Sequence, residues 1–248
     1  MIHYHGTPFS GDESVQAKSL IGRHAMVSFA TPGHLPLISE VCQSFCLDNG
    51  AFSAWKREHT PDWEAYAEWV DEWSTHPCFD FYVIPDVIDG DYTENLKLLG
   101  KWHNLVKRRS MLTHGAPVWH MHEPLEVLRD FCGAFYRVCI GSSGEYATVG
   151  TPAWWHRMAE AMSTCCDEHG RPRCKLHGLR MLDARIFTLL PLSSADSTNV
   201  ARNVGIDSKW TGSYQPASKT SRALVMMERI EKEQCAPGWQ HQVQERMF

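Results

Sequence analysis

The sequence lacks most of the signatures that identify a function at sight. There is no G-x-G-x-x-G after the first apolar run, no G-x-x-x-x-G-K-[ST] and no G-x-S-x-G. The usual dinucleotide, P-loop and serine-hydrolase fingerprints are therefore excluded. Internal repeats, low-complexity tracts and evident domain linkers are missing too. No apolar stretch approaches the roughly 20 residues that a membrane helix needs. Met1-Ile2-His3-Tyr4-His5 lacks the basic-then-apolar layout of an export signal, so a soluble cytoplasmic protein is the expectation. Positive charge is not in excess: the net charge is −5, and the chain as a whole is not a polyanion binder. Local basic clusters remain at Lys97, Lys101, Lys107, Arg108 and Arg109, at Arg171 and Arg173, and at Arg202, Lys209, Lys219 and Arg222. A solvated surface accounts for each of them as well as nucleic acid does.

What is present fits one large domain. The chain has 248 residues, 43% hydrophobic and 21% charged, and a single α/β barrel typically needs about 250 residues. Its nine cysteines are odd in number, which in a large domain without an export signal points to reduced thiols. Cys46, Cys78 and Cys139 sit in or beside apolar runs and read as small core residues. Cys165, Cys166, Cys174 and His177 match no standard zinc spacing.

Strand and helix signals alternate along the chain. The strand candidates are His3–Thr7, Ala25–Ala30, Ser44–Leu47, Phe79–Ile84, Pro117–His120, Arg137–Ile140, Lys175–Leu179 and Leu189–Ser193. Eight is the number that a (β/α)8 barrel requires. Between them, Thr60-Pro61-Asp62 reads as a helix start, followed by an apolar stripe of Trp63, Tyr66, Trp69, Val70 and Trp73 that suits core packing. Asp91–Val106 carries Leu96, Leu99, Trp102 and Val106 on one side, and Thr151-Pro152 starts a helix that runs to about Cys166. The barrel is expected over residues 1–205 and a helical then irregular extension over 206–248, with a helix at Arg222–Gln234.

Several apolar runs end in residues that can do chemistry, and a parallel barrel gathers strand C-termini around one pocket. Asp48 begins the turn Asp48-Asn49-Gly50, where Gly50 permits positive φ or a close approach to a ligand. A turn in which Asp48 or Asn49 only bonds local N–H groups is the structural alternative. Pro85 ends the next strand and projects Asp86. His120 and His122 would point the same way in an extended segment, as would His3 and His5. Such pairs could bind metal or form a polar pocket wall. Gly141-Ser142-Ser143-Gly144 is a small-residue loop that could admit a base or phosphate to backbone N–H groups. Asp196, in Ala195-Asp196-Ser197, could cap the helix that would hold Val200–Asn203. A carboxylate beside a helix N-terminus is held ionised, as a nucleophile must be.

Taken in order, His5-Gly6-Thr7-Pro8, Leu47-Asp48-Asn49-Gly50-Ala51-Phe52, Pro85-Asp86, Gly141-Ser142-Ser143-Gly144, Lys175-Leu176-His177-Gly178-Leu179 and Ala195-Asp196-Ser197 resemble the tRNA-guanine transglycosylase superfamily. The closer likeness is to its short phage and bacterial relatives that act on DNA. The resemblance covers residues 1–205 and implies a barrel that attacks C1′ of a nucleotide. It implies Asp196 as the covalent nucleophile, Asp48 as acid or base and Asp86 as the reader of the base, with Gly141–Gly144 shaping the base pocket. His120, His122, His177 and Asn199 would complete the substrate site, with Phe52, Trp55 and Trp119 as candidate apolar walls. Two features depart from the family's pattern. The Cys-x-Cys-x-x-Cys…His zinc module of its tRNA-acting members is missing, and His120-Met121-His122 stands where those members place a Gln. Both bear on the tRNA substrate and guanine specificity rather than on the glycosidic chemistry.

The expectation is an enzyme that cleaves a base–sugar bond in DNA without metal or cofactor, acting on a flipped-out base. With a free modified base as second substrate, it would exchange guanine for a 7-deazaguanine. With water instead, it would be a DNA glycosylase that leaves an abasic site, a chemistry suited to defence against phage with modified DNA. A metal-dependent hydrolase using His3, His5, His120, His122 or His177 is the rival from another class. A barrel that binds modified nucleic acid without turnover is the non-enzymatic one.

Overall fold

The computed structural model describes residues 1–9, 12–107, 113–206, 210 and 214–240; of the basic clusters, Arg108, Arg109 and Lys209 lie outside the described residues. Nine strands make one sheet: β1 (Ile2–Gly6), β2 (His24–Ser28), β3 (Ser44–Asp48), β4 (Phe79–Val83), β5 (Gly115–Ala116), β6 (Val118–His120), β7 (Arg137–Gly141), β8 (Lys175–Gly178) and β9 (Ser194–Ser197). Every pairing is parallel, in the order β5-β4-β3-β2-β1-β9-β8-β7-β6. The two ends of that order, β5 and β6, are consecutive in the chain and separated only by Pro117. The expected strand Pro117–His120 is thus the second half of a strand that begins at Gly115 and is interrupted by Pro117, a residue with no N–H for the ladder. Its first half serves β4, where Ile84 N donates to Ala116 O at 2.9 Å, and its second half serves β7, where Cys139 N donates to Pro117 O at 2.8 Å. The result is a nearly closed (β/α)8-type barrel.

The helices are α1 (Glu13–Leu20), α2 (Leu35–Val41), α3 (Ala51–Lys56), α4 (Trp63–Trp73), α5 (Tyr92–Leu105), α6 (Leu125–Ala134), α7 (Pro152–Cys165), α8 (Ala184–Phe187), α9 (Asn199–Asn203) and α10 (Lys219–Glu231). Short polar side chains set their starts. Asp91 accepts from Thr93 N, and Thr151 from Trp154 N, with Pro152 at the first position of α7 as expected. At α4 the cap is Asp62, which accepts from Ala65 N, so Thr60 and Pro61 stay outside the helix. Leu96 departs from its expected stripe: it is 42% exposed, and the buried face of α5 carries Asn95 and Trp102 instead. No described helix is long and apolar enough to cross a membrane.

The last strand also differs from expectation. Leu189–Ser193 is not in a strand, and the chain pairs one step later, over Ser194–Ser197. Pro191 cannot donate to a ladder, while Leu190 and Leu192 are buried with the outer core around α6 and α7. The polar stretch Ser194-Ala195-Asp196-Ser197 forms the strand because its alternate residues, Ser194 and Asp196, face polar partners.

Two apolar layers lie between sheet and helices, one including Trp119, Leu128, Trp154 and Phe187, the other Leu35, Phe45, Tyr66, Trp69 and Trp102. The aromatic stripe of α4 is core, and Cys46 and Cys139 are fully buried free thiols. A third cluster holds Tyr4, Met26, Cys46, Phe81, Val83, Ala116, Val118 and Cys139 from the seven strands β1 to β7 and is the filled barrel interior. Below it the interior is charged. An extra residue in β4, between the pairs Phe45/Phe79 and Leu47/Tyr82, shifts the register. Asp80 and Phe81 then both meet Arg137: its guanidinium donates to Asp80 at 3.0 and 3.3 Å and lies 3.9 Å from the centre of the Phe81 ring. Tyr4 Oη also donates to Asp80. Arg137 is 4% exposed.

A buried pair of this kind is costly to break from one side. Arg137→Ala should destabilise the fold by about 3–5 kcal/mol, read as a lowered denaturant midpoint. Arg137→Met combined with Asp80→Leu should recover most of that loss. A single variant as stable as the parent would show that the pair does not organise the barrel interior.

Candidate active site

At the C-terminal ends of the strands lies a cavity of about 1300 Å³. Its lining includes Asp48, Asn49, Phe52, Asp86, His120, Gly141, Ser142, Arg180, Asp196 and Asn199. The residues span 150 positions of sequence and meet because parallel strands end on one side of a barrel.

Asp86 is buried, and two residues hold its carboxylate. Asn49 Nδ2 donates to Oδ1 at 2.6 Å and also to Ile84 O at 2.8 Å, while His120 Nε2 lies 2.9 Å from Oδ2. Asn49 Oδ1 in turn accepts from Ala51 N at 2.9 Å. The local-turn reading of Asn49 is therefore correct for its oxygen, while its amide nitrogen reaches across to the next strand. Burial by itself would lower the His120 pKa. The hydrogen bond and charge of Asp86, with Glu123 and Asp89 nearby, outweigh it and raise the imidazole above its ordinary value. Glu123 accepts from His120 N at 3.1 Å and from Asn95 Nδ2 at 2.8 Å, so α5 braces the same group.

Asp196 is the last residue but one of β9 and is 7% exposed. Its Oδ1 accepts the backbone N–H of Arg180 at 2.8 Å. Arg180 has φ +59°, a left-handed conformation unusual outside glycine; it turns that N–H toward the carboxylate. The helix-cap expectation for Asp196 does not hold. Thr198 occupies the cap position of α9, and Asn199 N bonds Ser197 Oγ. Behind Asp196 lies His177, fully buried, with Nε2 3.4 Å from Asp196 Oδ1 and Nδ1 2.8 Å from Ser194 Oγ. Burial lowers its pKa despite the neighbouring carboxylate. A neutral ring accepts the Ser194 hydroxyl at Nδ1 and leaves Nε2–H beside Asp196 without a hydrogen bond of its own.

Asp48 has a different environment. Its donors are Gly50 N at 3.2 Å and the Ser28 hydroxyl. Burial is the largest influence and, with the charges of Asp196 and Asp86, raises its pKa to about 6. Gly50, at φ +75°, allows the turn: a Cβ there would stand 3.0 Å from Ala30 N. Of the two anticipated reasons for this glycine, positive φ applies, and the close neighbour is the protein's own backbone at Ala30.

Other expected site residues lie elsewhere. His122 is exposed and is held outside the cavity by Ser143 Oγ at 2.8 Å and Gly90 O at 3.3 Å. Ser143 serves that contact and does not line the cavity, whereas Gly141 and Ser142 do. His177 supports Asp196 from beneath. Trp119 is fully buried in the outer core and Trp55 is half exposed beside Phe52, so Phe52 is the one aromatic of the three that lines the cavity. His3 and His5 face away from it: their Nε2 atoms contact Glu233 O and Glu231. The histidines required by the hydrolase reading thus do not converge, and among the described residues no group of three or more His, Cys, Asp or Glu is arranged to hold a metal.

The sequence gives no signal for Arg180, Ser28 or Ser194, and marks Asn49 only as a turn residue. Ser194 stands two residues before Asp196 on one strand face. Arg180 follows the strand-end segment His177-Gly178-Leu179, and its side chain reaches over Phe52 at 4.5 Å and donates to Ser142 O at 3.2 Å.

The raised pKa of Asp48 has a measurable consequence. In the unfolded chain the group ionises near 3.8 and in the fold near 6. Stability is therefore full below about pH 4 and is lost as pH rises toward 6. The shift of about two units corresponds to at most ~3 kcal/mol. Asp48→Asn should raise unfolding free energy at pH 8, with the gain vanishing near pH 4, in paired denaturation curves. Equal stability at pH 8 would contradict an unfavourably buried carboxylate.

No protein-family model, no curated protein and no solved structure matches this chain, so its function rests on the chemistry of the cavity.

Proposed function

We propose that this chain cleaves the N-glycosidic bond of a nucleotide in DNA, with Asp196 as nucleophile and Asp48 as acid and base. The observation that carries the reading is the pair of carboxylates at the floor of one cavity in contrasting surroundings. Cleaving a base from a sugar develops positive charge at C1′, and two carboxyl groups can divide the work. An Asp196 oxygen, oriented by the Arg180 N–H and His177, attacks C1′ as the C1′–N bond breaks. The bonding electrons leave with the base, which takes a proton from the neutral form of Asp48. A carboxyl with a pKa of about 6 is well placed to give that proton near neutral pH and to take one back.

In the second half an incoming base attacks C1′, gives its proton to Asp48 and frees Asp196. Base exchange is favoured over hydrolysis because Asp86, clamped by Asn49 and His120, forms a rigid acceptor wall on which a departing and an arriving base could be read alike. The order of motifs shared with the transglycosylase superfamily supports the same assignment.

Asp196→Ala should lower base release by at least ~1000-fold while leaving the fold intact; a loss below about tenfold, about 1.4 kcal/mol, would remove Asp196 from the reaction. The direct test incubates the protein with modified and unmodified DNA, with and without added guanine or a 7-deazaguanine, and analyses the products by mass spectrometry. A substituted strand is the expected product. An abasic strand would assign hydrolysis, and no released base from any DNA would overturn the reading. Since Asp48 must be protonated to act as the acid, kcat/KM should fall as pH rises above about 6, and Asp48→Asn should abolish that dependence.

A further inference from the structure

The chain carries a net charge of −5, yet the mouth of the cavity is basic. Lys56, Arg57, Arg180, Arg185 and Arg202 line it, and all five are exposed. Among the described residues no glutamate lines the cavity, and the lining aspartates are Asp48, Asp86 and Asp196 at the floor and Asp183. Asp183 is paired with Arg185 at 2.7 Å. Lys56, Arg57 and Arg202 make no ion pair among the described residues. Exposed cations thus surround a mouth above a set of buried and half-buried carboxylates.

The topology distributes these cations. Lys56 and Arg57 close α3, which follows β3, whereas Arg180 follows β8 and Arg202 lies in α9, which follows β9. With β5 and β6 counted as one strand, β3 and β8 are four places apart in a ring of eight. The backbone positions of Lys56 and Arg57 therefore lie across the mouth from those of Arg180 and Arg202, and the Arg180 side chain reaches back over Phe52 of α3.

We infer that this rim binds the phosphodiester backbone of a single nucleic-acid strand that crosses the cavity mouth from the Lys56–Arg57 side to the Arg180–Arg202 side. This inference rests on the proposed glycosidic reading for what happens below the rim, and adds how the strand is held. Charge sorts the parts of the substrate. Phosphates are attracted to the rim and repelled by the carboxylate floor, so the uncharged base and sugar are the parts that descend. Arginine forks match phosphate oxygens better than they match isolated carboxylates of a flexible acidic peptide. The Arg180–Phe52 pair adds a flat surface at the same rim on which a neighbouring base can stack. The contacts are made to backbone, so they hold the strand without reading its sequence.

The test uses the full chain with Asp196→Asn to prevent turnover and a fluorescein-labelled single-stranded DNA of about 12 nucleotides. Anisotropy titrations between about 50 and 300 mM NaCl give affinity and its salt dependence. Adding Lys56→Glu, Arg57→Glu and Arg202→Glu should weaken binding by ~10–100-fold near 100 mM salt and flatten the slope of log K against log salt by ~2. A parallel set with Gln at the three positions, checked for an unchanged circular dichroism spectrum, should show the same direction with a smaller loss. Reversing Lys97, Lys101 and Arg171, away from the mouth, should leave slope and affinity as in the parent. Parent-like binding by the rim variants, a slope carried by Lys97, Lys101 and Arg171, or competition by polyglutamate as effective as by DNA would each overturn the rim. Base release by the wild-type chain is scored separately. If it occurs while rim variants bind normally, the rim fails and the glycosidic reading stands. If binding depends on the rim but no base is ever released, the rim stands and the glycosidic reading fails.

Discussion

Three carboxylates, two buried and one half-buried, must be held at one end of a barrel, and the rest of the site answers to that constraint. Desolvation and mutual repulsion both oppose it, so each carboxylate needs donors from the surrounding fold. Asp86 obtains a side-chain amide and a histidine, from Asn49 and His120. Asp196 obtains a main-chain N–H, held by the left-handed backbone of Arg180, and His177 behind it. Asp48 has Gly50 N and Ser28, and for it burial wins. Unequal provision of donors is what gives otherwise identical side chains different chemical characters.

The scaffold makes that provision possible by closing around a packed and partly charged interior. Arg137, Asp80 and Tyr4 satisfy one another below the apolar filling, and the register shift in β4 lets Asp80 and Phe81 both reach the arginine. Pro117 divides the fifth strand so that each half can pair with a different neighbour. His120 then ends the second half, within reach of Asp86 at the end of the adjoining strand. The same device that nearly closes the barrel therefore also places the histidine.

Strand positions were legible from apolar runs because a parallel sheet buried on both faces requires them. The exception was the ninth strand, which is polar. Its Ser194 and Asp196 face a histidine and a backbone N–H rather than hydrocarbon, so hydrophobicity pointed to the neighbouring Leu189–Ser193, which is core without being strand. His120 and His122 read as a same-facing pair, and their rings do stack, 5.7 Å apart. Yet a turn begins directly after His120 and leaves His122 outside the cavity.

By itself the sequence determined the alternation of strands and helices, the helix start at Thr151-Pro152, the need for glycine at position 50, and the strand-end positions of Asp48 and Asp86. These are local or periodic properties, set by backbone sterics and by which residues avoid water. Tertiary structure alone decided that Asn49 clamps Asp86, that Arg180 and His177 orient Asp196, that Asp48 titrates near 6, and that basic residues from opposite sides of the barrel line one mouth. Those depend on desolvation and on distances between residues far apart in the chain, and only closure of the barrel sets either.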